Sequence, residues 1–154
     1  NDLPLDPKLA MLAPYLGTWQ SSFAMEDGTS SVMDVSTWER ALNGKAIRTL
    51  HSINDGDYGG ESLIFFDKKK QQLVFYYFTT ADFFTQGRIE LVDDNSFIAY
   101  EDVTGNKDGI TKVKSTSRLL GNKMTVSTQY LKNGKWTQPQ SRTYIASDKQ
   151  VVFR

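Results

Sequence analysis

His51 is the residue with the clearest potential for chemistry, because it is the only histidine among the 154 residues. An imidazole changes charge near neutral pH, so it can act as a general acid or base, and it can also serve as an axial haem ligand. Asp34 or Tyr77 could share its proton. The alternative is a hydrogen-bonded histidine in the wall of a protein that only binds.

Composition excludes several other kinds of catalytic or metal centre. Cysteine is absent, which removes thiolate nucleophiles, disulfides and cysteine-based zinc sites. One histidine and scattered carboxylates are too few strong ligands for zinc. No Gly-x-Ser-x-Gly, Walker or dinucleotide-binding glycine pattern occurs. We therefore assign no catalytic residue and no metal ligand, and we expect no cofactor.

Charge and hydropathy restrict the partners. Basic and acidic residues balance at 18 each, so there is no electrostatic footprint for nucleic acid or an anionic membrane. No apolar run approaches the roughly 20 residues of a membrane helix, and we expect no membrane insertion. The first residue is Asn1 rather than methionine. A removed signal peptide and a periplasmic or secreted location are therefore expectations, with a cytoplasmic location left open.

Turn residues divide most of the chain into short β-like segments. Asp6-Pro7 predicts the start of a short amphipathic helix that ends at Pro14. After Gly17 the apolar period is two, and pairs such as Asn43-Gly44 separate the segments. We predict strands at 17–25, 31–42, 45–54, 60–67, 71–79, 83–92, 96–103, 110–119, 123–131 and 136–146.

Connections this short join antiparallel neighbours. Ten consecutive strands leave two edge strands with unpaired backbone groups unless the sheet closes. The predicted fold class is therefore all-β: a single closed antiparallel up-and-down β-barrel of about ten strands with a short N-terminal helix. The predicted domain covers residues 1–154, with 1–16 as the N-terminal arm and helix.

Two predicted hairpins assign side chains to faces. A type I′ turn at Asn43-Gly44 defines an interior face composed of Asp34, Ser36, Trp38, Arg40, Ile47, Thr49, His51 and Ile53. The Asn133-Gly134 turn places Leu131 opposite Trp136 and defines an interior face composed of Met124, Val126, Thr128, Tyr130 and Ile145. The same register places Arg142 on the polar outer face.

Aromatic residues in the middle strands predict a pocket. A barrel of ten strands is wider than its own side chains fill, and aromatic walls with a few polar groups suit a small hydrophobic or amphipathic ligand. His51 and Arg88 would orient a polar or anionic group, and the tryptophan and tyrosines would form the wall. The predicted ligand contacts are Trp38, His51, Tyr77, Arg88, Tyr100 and Tyr130.

Three segments carry a family resemblance: Leu16-Gly17-Thr18-Trp19, Trp38 to Arg48, and Phe65-Phe66-Asp67 before a lysine-rich turn. Together they resemble a family of small bacterial lipocalin-like (calycin) proteins without an assigned function. The resemblance implies a calycin-type barrel, small-molecule binding, and packing of Trp19 against Arg142 at the closed end. The Gly-x-Trp opening is also similar to that of nitrobindin-like haem barrels, whose haem histidine lies late in the chain, whereas His51 lies early.

Three functions follow from these observations. The first is non-enzymatic binding of a small hydrophobic or amphipathic molecule in the barrel interior. The second is a cavity-type enzyme, such as an isomerase, cyclase or hydratase acting on a hydrophobic substrate, with His51 transferring a proton. The third is a structural or envelope component with a filled barrel and an exposed apolar patch.

Overall fold

The computed structural model describes residues 4–24 and 31–154, so the last predicted residue of the first strand, position 25, lies outside the described residues. A 3-10 helix covers Pro7–Tyr15, and a 3-10 turn covers Leu42–Gly44. The strands in the described part are β1 (Gly17–Ala24), β2 (Ser31–Ala41), β3 (Ala46–Ile53), β4 (Tyr58–Asp67), β5 (Gln72–Thr79), β6 (Phe84–Asp93), β7 (Ser96–Asp102), β8 (Ile110–Leu120), β9 (Lys123–Lys132), β10 (Lys135–Trp136) and β11 (Gln140–Ala146).

The strands close into a ring. From β1 to β9, each strand pairs antiparallel with the next one, and β11 lies between β9 and β1. The two-residue strand β10 pairs only with the end of β9 and stays outside the ring. The predicted all-β fold, a closed antiparallel barrel of ten strands, is confirmed.

The N-terminal segment packs against one end of the barrel. The carboxylate of Asp6 accepts a hydrogen bond from the backbone N–H of Lys8 at 2.9 Å, as an N-cap does. The segment is a 3-10 helix that contains Pro14, whereas we predicted a helix ending there. Three residues per turn align every third side chain, so Leu9, Leu12 and Tyr15 share one buried face.

The register of the first hairpin is confirmed. Trp38 pairs with Thr49 and Ser36 pairs with His51. Asn43 and Gly44 have φ values of 55° and 86°, and the N–H of Lys45 donates to the carbonyl of Leu42 at 2.9 Å. These are the left-handed conformations that a type I′ turn requires. Residues of alternating position in β2 and β3 therefore face the interior as predicted.

The last predicted strand is interrupted, which changes the face of its second half. Trp136 pairs with Leu131 as predicted, but Gln140 pairs with Thr128, one residue out of that register. Pro139 lies in the gap between β10 and β11, and proline has no N–H for a ladder. Ile145 is consequently 46% exposed, so its predicted interior position is wrong, and Tyr144 is buried in its place.

Candidate ligand-binding site

The barrel interior contains a cavity of about 220 Å³ that is open to solvent and has a mostly apolar wall. Its apolar lining comes from eight residues on six strands, which shows that the ring of strands is not filled by its own side chains. These residues are Trp38, Ile64, Phe75, Ile89, Phe97, Ala99, Met124 and Val126. Toward the N-terminal helix, the ring centroids of Trp38 and Phe97 lie 5.4 and 5.0 Å from that of Tyr15.

The polar lining includes four hydroxyl residues, Ser36, Thr49, Ser62 and Ser117, and three residues of a chain of hydrogen bonds, Asp34, His51 and Tyr144. Nδ1 of His51 lies 3.1 Å from Oδ1 of Asp34, and Nε2 of His51 lies 2.6 Å from the hydroxyl oxygen of Tyr77. The hydroxyl groups of Tyr77 and Tyr58 are 3.1 Å apart. Tyr144 donates its hydroxyl proton to Oδ2 of Asp34 at 2.7 Å. We call these five side chains the polar chain; each comes from a different strand.

The directions of these hydrogen bonds follow from the acceptor character of the carboxylate. An ionised carboxylate only accepts, so the proton shared with Asp34 belongs to Nδ1 of His51. In the neutral imidazole the other nitrogen is then an acceptor, and Tyr77 donates to it. The hydroxyl oxygen of Tyr77 can accept from Tyr58. Every donation in the polar chain therefore runs toward Asp34.

Gly60 makes the contact between Tyr77 and His51 possible. It pairs with His51 on one side and with Thr79 on the other. The ring of Tyr77 lies across the backbone at this glycine, so a Cβ atom there would overlap the ring edge and come within 2.7 Å of Cζ. Any larger residue at position 60 would displace the Tyr77 hydroxyl from His51.

Burial keeps two tyrosines of the polar chain, Tyr77 and Tyr144, protonated. Loss of hydration raises the pKa of the Tyr77 hydroxyl, and the hydrogen bond with Tyr58 raises it further. Burial also raises the pKa of Tyr144, with the negative charge of Asp34 as a second cause. Both hydroxyls are therefore hydrogen-bond donors at neutral pH.

Four of the six predicted ligand contacts lie on the inward side of the barrel wall. Trp38 and His51 line the cavity, and Tyr77 joins them through its bond to His51. Tyr130 pairs with Val113 on the inward-facing side of β9 but does not line the cavity. Its predicted contact with a ligand remains a prediction.

Arg88 and Tyr100 lie on the outer wall, which corrects the inward orientation expected for them. They pair with each other, while their neighbours Ile89 and Ala99 line the cavity. The Arg88 guanidinium stacks 4.3 Å from the Tyr100 ring centre and forms an ion pair with Glu90. An anionic ligand group inside the barrel would therefore not meet Arg88.

The Trp19–Arg142 contact implied by the family resemblance is not formed. Trp19 instead donates from Nε1 to the carbonyl of Tyr15 at 2.9 Å. Arg142 pairs with Val126 and so lies on the inward side of β11, not on the outer face we predicted. Its guanidinium lies 3.7 Å from the ring centre of Phe23. The one-residue shift around Pro139 causes this reversal.

Two members of the polar chain were missed by sequence reasoning. Tyr144 was not named, because the hairpin was extended through Pro139 and its neighbour Ile145 was placed inside instead; that proline was the available signal. Tyr58 precedes the predicted start of its strand at residue 60, and the structure begins β4 two residues earlier. No spacing or motif marked it.

The outer wall carries an aromatic patch, composed of Leu63, Phe65, Tyr76, Phe78 and Phe84, all exposed. Leu63 pairs with Tyr76, and Phe78 pairs with Phe84, so the side chains are contiguous across β4 to β6. The structural-component hypothesis predicted such a patch. It also predicted a filled interior, which the cavity contradicts.

Fold and site together define a closed antiparallel β-barrel with a partly polar interior cavity. No protein-family model and no curated protein matches the chain. The chain is similar to a solved structure, the crystal structure of Rv2717c from M. tuberculosis, with a TM-score of 0.64 and 10% identity, over 93% of this chain and 99% of that one. At this identity the similarity shows a shared barrel fold.

Two further features concern metals and membranes. Across residues 4–24 and 31–154, no three His, Asp or Glu side chains are grouped so that they could hold a metal ion. In the same part of the chain, no helix has the length and apolar character needed to cross a membrane.

Proposed function

We propose that this protein binds a small, mainly apolar molecule in the barrel interior without changing it chemically. The cavity of about 220 Å³ carries the proposal, because its wall is apolar on most sides and polar at the chain that ends on Asp34. A dry cavity of roughly 150 Å³ lined by Leu, Ile and Phe is enough to hold benzene. The ligand is therefore of the order of ten non-hydrogen atoms, such as one ring with a short substituent.

The lipocalin-like resemblance of the Gly17-Thr18-Trp19 and Asn43-Gly44 segments supports the same proposal. We extend it to a lipocalin-like binding protein of the periplasm or the exterior. The structural alternative, a barrel that acts only through its outer wall, is less favoured because it expects a filled interior and does not account for the cavity.

Native mass spectrometry of freshly purified protein, with NMR titration of single-ring molecules, tests the proposal. Ala99 lines the cavity, and Ile98 is its outward-facing neighbour on β7. Ala99→Phe should abolish binding by filling the cavity, while Ile98→Phe should leave binding intact. Equal binding by both variants, or no binding by the unsubstituted protein, would contradict interior binding.

A cavity-type enzyme is the second candidate, favoured by the position of His51 between Asp34 and Tyr77. A general base oriented by a carboxylate is a recurrent catalytic arrangement. This candidate expects a hydrophobic substrate, with His51 as the proton-transfer group. His51→Gln would then abolish turnover while leaving ligand uptake intact; a change in affinity without any turnover in the unsubstituted protein would favour binding alone.

A further inference from the structure

We infer that the ligand of the cavity is a small organic ammonium compound, with its cationic group at Asp34 and its apolar body toward Trp38 and Phe97. The inference rests on the proposed binding function and adds the chemical class of the ligand. It replaces the anionic group expected at Arg88, which lies on the outer wall.

The charge of the cavity wall is the first argument. Among the lining residues of the described chain, Asp34 is the one carboxylate, and none is a lysine or arginine. His51, which contacts Asp34, is the one lining group that becomes cationic on protonation. The Asp34 side chain is only 10% exposed. An anionic ligand would have to lose its hydration next to this carboxylate, which is strongly unfavourable, whereas a cation would pair with it.

The unused acceptor capacity of Asp34 is the second argument. Its Oδ1 faces Nδ1 of His51, and its Oδ2 accepts from Tyr144. Two carboxylate oxygens offer about four acceptor sites, so about two remain for a ligand. An ammonium group supplies up to three donors together with the opposite charge.

The surrounding charges leave this preference in place. Arg142 is exposed and stacks on Phe23, and among the described residues the ion-pair partner of Asp34 is His51, not Arg142. On the inward side of β7, Glu101 accepts a hydrogen bond from Thr85 at 2.6 Å and adds a second acidic group to the interior. His51 already uses both ring nitrogens within the polar chain.

The polarity of the cavity along the barrel axis orients the ligand. Asp34 and Trp38 both line the cavity and lie four residues apart on β2, about 13 Å at roughly 3.3 Å per residue. The Trp38 end is aromatic and uncharged: the Trp38 ring packs against Phe97 with centroids 5.9 Å apart, and the paired residues Thr49 and Ser117 add only hydroxyl groups. A ring with a short aminoalkyl chain spans part of this distance with its amine at Asp34.

Three probes of matched size separate the possibilities: phenethylamine, phenethyl alcohol and phenylacetate, titrated by calorimetry or NMR near neutral pH. The amine should bind at least about tenfold more tightly than the alcohol, because a hydrogen bond between charged groups is stronger than one made by a neutral donor. Phenylacetate should bind most weakly. This ranking uses the unsubstituted protein alone, so it does not depend on the folding of any variant.

Asp34→Asn, which keeps the size of the side chain, should reduce the affinity for the amine to that for the alcohol and leave the alcohol affinity within about threefold. The matched control Asp102→Asn removes an exposed outer-wall carboxylate paired with Lys112 and should change nothing. Equal or reversed preference among the probes would overturn the ammonium inference while the binding function stands. Failure of all three probes to bind would overturn both.

Discussion

The hydroxyl oxygen of Tyr77 lies 2.6 Å from Nε2 of His51, on the opposite side of the imidazole from Asp34. Because Asp34 accepts a hydrogen bond from Nδ1–H, Nε2 of the neutral ring is the acceptor to which Tyr77 donates, and both nitrogens of the ring are occupied by protein groups. The histidine is therefore held in one tautomer and one orientation. Through this contact His51 orients Asp34, which lines the cavity.

The tautomer of His51 is directly measurable. In its neutral form the ring should carry its proton on Nδ1, which long-range ¹⁵N–¹H correlation spectra distinguish from the Nε2 form. Tyr77→Phe should remove the donor to Nε2, disturb this pattern, and lower the free energy of unfolding by about 1–2 kcal/mol. The neighbouring Tyr76→Phe is the control, because Tyr76 lies exposed on the outer wall. A proton on Nε2 in the unsubstituted protein would contradict the direction of the polar chain.

Glu101 should make stability depend on pH. Burial raises the pKa of the Glu101 carboxyl above its ordinary value, and the hydrogen bond from the Thr85 hydroxyl lowers this pKa in part. Because the folded state then holds this proton more tightly than the unfolded state, the contribution of Glu101 to stability is fully present below the unfolded pKa and is lost as pH rises through the folded pKa.

Glu101→Gln removes this titration. The free energy of unfolding of this variant, measured in urea, should therefore increase relative to that of the unsubstituted protein as pH rises from about 4 to about 7. Thr85→Val should extend the loss of stability to higher pH, because the pKa of Glu101 then rises further. A difference between the Gln variant and the unsubstituted protein that stays constant with pH would show that Glu101 is not buried in this way.

The N-terminal 3-10 helix should contribute strongly to stability through its buried face. Leu12 is 0% exposed and belongs to the core, whereas the adjacent Met11 is 36% exposed. Leu12→Ala should cost about 2–5 kcal/mol of the free energy of unfolding because it leaves a cavity. Met11→Ala should cost about 0.5 kcal/mol or less. Similar losses in the two variants, measured by urea denaturation, would mean that the helix is not docked as described.

The sequence predicted much of the fold and part of the site, since both depend on local signals. Asn43-Gly44 determines a two-residue turn, and the alternation of faces along β2 and β3 then follows. That register alone places Asp34, Trp38 and His51 on the inward side, where the structure has them lining the cavity.

The errors arise where no tight turn determines the register. The ladder between β6 and β7 shifts between Leu91 and Asp93, next to the turn that joins them, so their faces could not be derived from the loop. The expectation that Arg88 faces inside therefore rested on its residue type and not on a register. In β11 a single prolyl residue, Pro139, reversed the faces of Tyr144 and Ile145, because a shift of one residue moves each side chain to the opposite side.

Two phenylalanines on the same strand provide a test of this assignment of faces. Phe75 is 9% exposed and lines the cavity, where its ring lies against Gly87, whereas Phe78 is 53% exposed in the outer aromatic patch. Phe75→Ala should cost about 3–5 kcal/mol of the free energy of unfolding and enlarge the cavity, so that it accepts bulkier ligands. Phe78→Ala should cost clearly less than Phe75→Ala, because about half of the Phe78 side chain is already in water. Equal losses in urea denaturation would contradict the assignment, since they would require the outer patch to be covered.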